Sequence, residues 1–292
     1  MTTALQKSDP QIKKLIDLEA RRQQEGLVMI PSENYAGVDV MEALGSILTN
    51  KYSEGYSGKR YYAGNSVIDE IETLAIDRAK ALFKVPHANV QPYSGSPANL
   101  AVYFALMKPG EVVMGHNLPD GGHLTHGWNV SITGSYFESH PYHVKIDGKI
   151  DMAEVEALAK KYKPKMIWVG ATAYPFKFDF EKFAKIADKV GAYLVADISH
   201  VVGLIIAGVH PSPVPFAHIV TTTTHKTLSG PRGAIIMVTD KGMKKDPELA
   251  EKIDKAVFPG LQGGPHDQQT AAIAVSLKNA GTPAFKKYGQ QI

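Results

Sequence analysis

The stretches AYLVADISH (residues 192–200) and HIVTTTTHKTLSGPRGA (residues 218–234) decide the reading of this chain. Each is a short apolar run that stops on a polar cluster: Asp197 and His200 in the first, His225 and Lys226 in the second. Apolar runs without alternation read as strands buried on both faces. EVVMG (111–115), KMIWVG (165–170) and AIIMVT (234–239) share this character. Helix-like segments at 151–159 and 179–190 lie between strands, the first with a capping box from Asp151 to Glu154. This alternation predicts an α/β fold with a mostly parallel central sheet and helices on both faces. Ligands of such sheets sit beyond the carboxyl ends of the strands, so chemistry is expected where strands end.

The amino-terminal part is more helical. Asp9 and Pro10 open a helix whose apolar spacing (Ile12, Leu15, Ile16) runs to a stop at Gly26. LVMIPSENYAG (27–37) reads as a loop, and a helix is expected over residues 38–52. The strongest helix spans residues 66–83, with Ser66 and Asp69 as a capping box and Ile68, Ile71, Ala75, Ala79 and Leu82 as one stripe. A short strand (89–93) then runs into SGSP, where Ser96 caps a helix and Pro97 begins it. Between these elements, residues 49–65 show no periodicity and are rich in Gly, Tyr and charge, as functional loops often are.

Composition removes several classes. The formal net charge is only +3 and the charges are dispersed, so neither a nucleic-acid arm nor a polybasic membrane patch is expected. With no cysteine, disulfides, thiolate nucleophiles and Cys-ligated metals are ruled out. The eleven histidines are scattered, and His123 with His126 alone is a weak metal signal, so no metal is expected. The first residues lack a secretory h-region and no long apolar run occurs, which fits a cytoplasmic location without a membrane.

Three strand ends carry chemistry. Ser94-Gly95-Ser96 before a helix suits a phosphate, although such a turn is more often only a cap. Asp197 could serve as a capping carboxylate or as the counter-ion of a protonated ring nitrogen. Lys226, beside His225, could be a surface lysine or an amine that condenses with a carbonyl once desolvation lowers its pKa. Together they are the parts that pyridoxal 5'-phosphate (PLP) requires: an imine-forming lysine, a ring-nitrogen partner and a phosphate cradle.

VTTTTHKTLSGPRGA closely resembles the PLP-lysine motif of serine hydroxymethyltransferases. IPSENY, LTNKYSEGYSGKRYYAG, NVQPYSGSPAN, GGHLTHG, ADISHVVGL and FPGLQGGP resemble further family motifs, in the family's order, over residues 27–265. The resemblance implies the PLP-dependent transferase fold of the aspartate aminotransferase type. It also implies reversible conversion of serine and tetrahydrofolate to glycine and methylene-tetrahydrofolate, by a homodimer or tetramer with shared active sites.

Residue by residue, it places the Schiff-base lysine at Lys226 and the ring partner at Asp197. His200 would lie near the ring's phenolic oxygen, His225 near substrate and phosphate, and His123 would stack on the ring. Ser94, Gly95 and Ser96 match the phosphate loop, and Thr172 stands where a serine often touches the cofactor. Glu54 matches a proton-handling glutamate. Tyr52, Arg60 and Tyr62 match active-site lining, partly supplied across a subunit interface, with Tyr62 counted among the catalytic groups. Ser32, Leu118, Gly122, His123 and Leu124 match substrate and folate positions. Gly260, Gly263 and Gly264 match a glycine loop that reaches a neighbouring subunit's cofactor phosphate.

The same resemblance divides the chain into an amino-terminal arm (1–37), a PLP-binding large domain (38–278) and the start of a connection (279–292) to a small C-terminal domain. The family's carboxylate-gripping arginine belongs to that small domain, and none of Arg21, Arg22, Arg60, Arg78 or Arg232 matches it. Pro97, Phe176 and Ser199 depart from the family's usual Gln, Arg and Ala. Two alternatives therefore stand beside the main reading: a cofactor-binding, oligomerising fragment without efficient catalysis, and a folate-independent threonine-type aldolase.

Overall fold

The computed structural model describes residues 3–292. They form two compact units, one ending at Glu33 and the other comprising Asn34–Ile292. In the first, Asp9 caps the helix Pro10–Glu25, its carboxylate accepting from the Gln11 and Ile12 amides, and Gly26 ends it as the sequence predicts. A further short helix, Ala4–Ser8, precedes it, capped by Thr3.

The second unit is built on a seven-stranded sheet. A two-stranded ribbon comes first in the chain, β1 (Gly55–Tyr56) with β2 (Lys59–Arg60). The sheet strands are β3 (His87–Asn89), β4 (Val112–His116), β5 (Glu138–Tyr142), β6 (Met166–Val169), β7 (Tyr193–Asp197), β8 (Ile219–Thr223) and β9 (Ala234–Val238). Their spatial order is β3-β9-β8-β7-β6-β4-β5, and only β9 runs against its neighbours. The α/β expectation is thus met. β5 was not anticipated, because ESHPY lacks an apolar run.

Strands β6, β8 and β9 and the middle of β7 are fully buried, and two apolar clusters fill the faces of the sheet. One gathers Ile167, Leu194 and Ile235 with Phe183; the other gathers Trp168, Val195 and Ile236 with Tyr103. Successive residues of β6, β7 and β9 divide between the clusters, as the two-residue side-chain period of a strand requires.

Local chemistry moved several expected boundaries. The helix expected over 38–52 stops at Leu44, and a short 3-10 turn, Ile47–Asn50, follows it. Ser66–Phe83 is helical as predicted, but its N-cap is Asn65, with no side-chain cap bond. Asp69 turns instead to Arg60 Nε (2.8 Å) and the Gly58 amide (3.0 Å), tying the helix to the β1–β2 ribbon. The helix after SGSP is Gly95–Leu106, capped by Ser94 rather than Ser96. Asp151 caps Met152–Tyr162 as expected, whereas Glu154 reaches the His143 amide and completes no box.

Candidate active site

Strands β7 and β8 are parallel neighbours, with Asp197 opposite Thr221. Their carboxyl ends therefore deliver Asp197, Ser199 and His200 on one side and Thr223, His225 and Lys226 on the other. The turn after β6 adds Thr172, and helix Gly95–Leu106 points its amino end at β8. An added Cβ on Gly95 would lie 2.6 Å from Thr223 Cγ2, so only glycine lets this turn approach so closely. Gly95, His123, Thr172, Asp197, His200 and Lys226 line one cavity, together with His126 and Ser199, which sequence reasoning had not assigned.

Asp197 is held by four donors. Oδ2 accepts from Asn99 Nδ2 (2.9 Å) and lies 3.2 Å from His126 Nε2. Oδ1 accepts from the Ser199 amide (3.1 Å) and hydroxyl (2.6 Å). Burial alone would raise its pKa. The hydrogen bonds from His126 and Ser199 outweigh burial and hold the carboxyl well below its usual range. A carboxylate kept anionic this firmly suits a cationic ring nitrogen.

Three of the surrounding histidines, His123, His200 and His225, are neutral near pH 7. Burial pushes His123, His200 and His225 down to about 4, aided at His200 and His225 by the Lys226 charge. Asn99 also donates to Thr125 Oγ1 (2.8 Å), whose hydroxyl in turn donates to His123 Nδ1 (2.8 Å). Nδ1 accepts from the Thr125 amide as well, so the His123 proton sits on Nε2. His126 stacks on Trp168, with ring centroids 5.2 Å apart.

Lys226 is only 8% exposed, and its pKa is lowered by burial despite Asp197. Its ammonium makes no side-chain hydrogen bond or ion pair among the described residues. His225 Nε2 faces Arg232 Nη1 at 3.2 Å. Asn34 fixes the lysine backbone: Nδ2 lies 2.8 Å from the Lys226 carbonyl, 2.9 Å from Ser229 Oγ and 2.8 Å from the Tyr288 hydroxyl. Asn34 lies within IPSENY and Asn99 within SGSPAN, yet only folding gives either a partner.

These features fit PLP. Lys226 offers an amine without a partner. His200 Nε2 is a buried ring nitrogen with none, beside the same cavity. Ser94 leaves the start of a twelve-residue helix without a side-chain cap bond. Bound there, PLP supplies an electron sink. Lys226 would hold its aldehyde carbon, Asp197 its ring nitrogen and residues 94–96 its phosphate.

Thr172 borders the cavity, whereas the remaining expected residues lie elsewhere. Thr172 donates its hydroxyl to the Gly121 and Gly122 carbonyls (3.2 and 3.0 Å), bracing the segment that carries His123. Gly122 packs its Cα against the His116 carbonyl. Leu118 lines a separate cavity with His116 and Ser139, and Leu124 is 48% exposed. Ser32 is exposed in a turn of the first unit. Phe176 is 39% exposed, with Lys149 Nζ 5.7 Å from its ring centroid, and does not line the Lys226 cavity. His123, His126 and Asp197 bring one possible ligand atom each within 4.8 Å of one another, a cluster that His spacing alone could not reveal. His126 Nε2 and His123 Nδ1 already engage Asp197 and Thr125.

Glu54, Tyr52 and Tyr62 form a second group, none of them lining the Lys226 cavity. The Tyr52 and Tyr62 rings meet edge to face at 5.5 Å, and the Glu54 carboxylate raises the Tyr62 pKa. Gly263 and Gly264 lie against them: added Cβ atoms would sit 3.3 Å from Glu54 Oε1 and 3.2 Å from the Tyr52 ring. The Tyr93 hydroxyl donates to the Gly264 carbonyl (2.7 Å), so the glycine loop is moored beside Ser94. Gly260 packs apart, against Phe104.

Arg60 lines neither group. Its side chain is 3% exposed, pairing with Asp69 (2.8 Å) and Glu72 (3.2 Å) and donating to the Ser53 and Gly55 carbonyls. It is a buried clamp for residues 53–60 within its own chain.

A sheet of this order, with a lysine and an aspartate at neighbouring strand ends, defines the α/β class of PLP-dependent transferases. The serine hydroxymethyltransferase family model matches residues 5–292. The chain is 57% identical over 290 residues to the serine hydroxymethyltransferase of Desulfotalea psychrophila, 58% to that of Acidothermus cellulolyticus and 57% to that of Sorangium cellulosum. These matches cover 99% of this chain and 67%, 66% and 67% of the relatives, so the chain spans about two thirds of their length. The chain belongs to the serine hydroxymethyltransferase family.

Proposed function

We propose that this chain is the cofactor-binding portion of a PLP-dependent glycine hydroxymethyltransferase, which interconverts serine and glycine with tetrahydrofolate as the one-carbon acceptor. The observation that carries the reading is the pairing of a firmly anionic Asp197 with a desolvated, unpartnered Lys226 at adjacent strand ends, within a chain of this family. Lys226, its amine desolvated and without a side-chain partner, would hold the cofactor's aldehyde carbon. Asp197 would partner the ring nitrogen, and His123, which lines the same cavity as a neutral imidazole, would border the ring. Glu54, beside Tyr62, moves protons at the substrate hydroxyl and folate.

The working unit in this reading is a homodimer. Glu54, Tyr62, Gly263 and Gly264 do not line the Lys226 cavity of their own chain, which supports their serving the site of a second copy. Phe104, Ile132, Tyr136 and Leu261 are 44–60% exposed around one apolar recess, a surface suited to burial against another copy. No helix of the described residues is long and apolar enough to cross a membrane.

The test is a titration with PLP followed by serine and tetrahydrofolate. A visible absorbance band that is lost in Lys226→Ala is expected, with sedimentation at twice the chain mass. Absence of the band in the unaltered protein would overturn the reading.

A further inference from the structure

The end of β7 contains a link that the proposed reaction does not require. Ser199 is buried, 6% exposed. Its hydroxyl donates to Asp197 Oδ1 at 2.6 Å and accepts from the Thr223 amide at 3.0 Å. The regular β7–β8 ladder has by then ended: its last bond runs from the Ile198 amide to the Thr221 carbonyl (2.9 Å). The next amide of β8 on that side, Thr223, would be left without an acceptor, and a buried unpaired N–H is costly. The serine hydroxyl stands in for the missing carbonyl.

Both bonds have consequences for the site. The Thr223 methyl group abuts Gly95, so the Thr223 backbone sets the seat of the phosphate turn. Lys226 follows three residues later on the same segment. At its other end the hydroxyl withdraws negative charge from Oδ1, while Asn99 and His126 act on Oδ2. One hydroxyl thus touches the ring-nitrogen partner, the lysine strand and, through Thr223, the phosphate turn.

We infer that Ser199 is a positioning residue that couples Asp197 to the Lys226 strand and moderates the charge Asp197 presents to the cofactor ring. The inference rests on the reading of Asp197 as the ring-nitrogen partner. Its structural half, the Ser199–Thr223 bond, stands without that reading. Ser199 does not meet the reacting atoms; it acts through Asp197 and Thr223. The charged and titratable groups facing Asp197 are His126, His123, His200 and Lys226.

Two readouts test it with Ser199→Ala and the hydroxyl-retaining Ser199→Thr. In the cofactor-free protein, hydrogen exchange of the segment 219–226 is expected to accelerate in Ser199→Ala and to stay near the parental rate in Ser199→Thr. In the PLP-loaded protein, Ser199→Ala should weaken PLP about tenfold, the loss expected for one hydrogen bond to a charged group. The apparent pKa of the visible Lys226–PLP band should rise by about half a unit, because Asp197 regains the charge the hydroxyl had withdrawn. Ser199→Thr should restore both. A general packing defect would lower thermal stability in both variants without moving the titration. Unchanged exchange and an unchanged titration in Ser199→Ala would overturn the inference. A protein without any visible band, yet with accelerated exchange in Ser199→Ala, would refute the proposed function and leave the Ser199–Thr223 link standing.

Discussion

Asn34 Nδ2 lies 2.8 Å from the backbone carbonyl of Lys226, 192 residues away in sequence. Ser229, in the same turn, has a left-handed φ of 56°, a conformation that non-glycine residues seldom hold without support. Its amide closes the turn onto the Lys226 carbonyl at 2.9 Å, and the same Asn34 amide reaches its hydroxyl. Asn34→Ala removes this clamp. We expect a loss of about 1–2 kcal/mol of stability, one to two net hydrogen bonds, and faster loss of PLP on dialysis. Urea denaturation with dialysis against buffer checks both, and retention equal to the parent would contradict the assigned role.

Asp197→Asn keeps the shape but presents an NH2 group to donors. Either His126 or Ser199 then faces a donor in place of an acceptor, and the ring nitrogen loses its anion. Breaking a buried charge pair costs about 3–5 kcal/mol, so turnover and PLP affinity together should fall by at least about a hundredfold. Steady-state rates at saturating PLP would separate the two losses. A variant within tenfold of the parent in both would exclude Asp197 as the ring partner.

The protein should lose stability as the pH falls from about 6.5 towards 4. Burial pushes His116 and His218 down to about 4; at His218, Lys245 and Lys241 add to the effect. An unfolded histidine takes its proton near pH 6.5, so between these values the unfolded chain binds more protons. The contribution is complete above about pH 6.5 and is lost on acidification through about 4. His218 Nδ1 also accepts the Leu194 amide at 2.9 Å, a bond that protonation there would abolish. Both ring nitrogens of His116 lack partners, so His116→Met should flatten the slope of stability against pH. Urea unfolding between pH 7 and 4.5 measures that slope, and an identical slope in the variant would sink the assignment.

Arg60→Leu should destabilise the protein by about 3–5 kcal/mol, because it strands Glu72 as a buried, unpaired carboxylate. Burial pushes the Glu72 pKa up even with Arg60 present. Arg60→Lys should recover little, since one ammonium cannot reach Asp69, Glu72 and two carbonyls together. Thermal unfolding of the two variants distinguishes this clamp from a surface arginine, whose loss would leave Tm nearly unchanged.

Gly95→Ala should spare the fold and weaken PLP. The new methyl meets Thr223 Cγ2 at 2.6 Å, so the helix start must retreat from β8. Such overpacking costs about 1–3 kcal/mol, which should appear as weaker PLP binding with a larger loss for PLP than for the phosphate-free aldehyde pyridoxal. Equal losses for both ligands would move the phosphate seat away from this turn.

Most strands of the sheet were legible because β4, β6, β7 and β9 are mainly apolar runs; β3 lies at 87–89 where a strand was expected over 89–93, and β8 ends in three threonines. β5 was not, since Glu138, His140 and Pro141 break its pattern and only pairing with β4 makes it a strand. Caps proved less legible than helices. Ser66 with Asp69 satisfies the capping-box pattern, but Arg60 offered Asp69 a charged partner that a local pattern cannot show. Phe176 and Ser199 looked equivalent as departures from the family. Folding separates them, leaving Phe176 outside the cavity and burying Ser199 against Asp197.

The sequence by itself determined the α/β alternation, the family, and the strand ends that carry Asp197 and Lys226. These depend on short-range patterns: apolar period, helix starts and contiguous motifs. Only the tertiary structure decided that Asn34, Asn99, His126 and Ser199 hold those two groups, that Arg60 is buried, and that Glu54 joins the glycine loop outside the cavity of Lys226. A parallel sheet sets residues distant in sequence side by side at its carboxyl edge. Hydrogen bonds spanning 71, 98 or 192 residues leave no local periodicity to read.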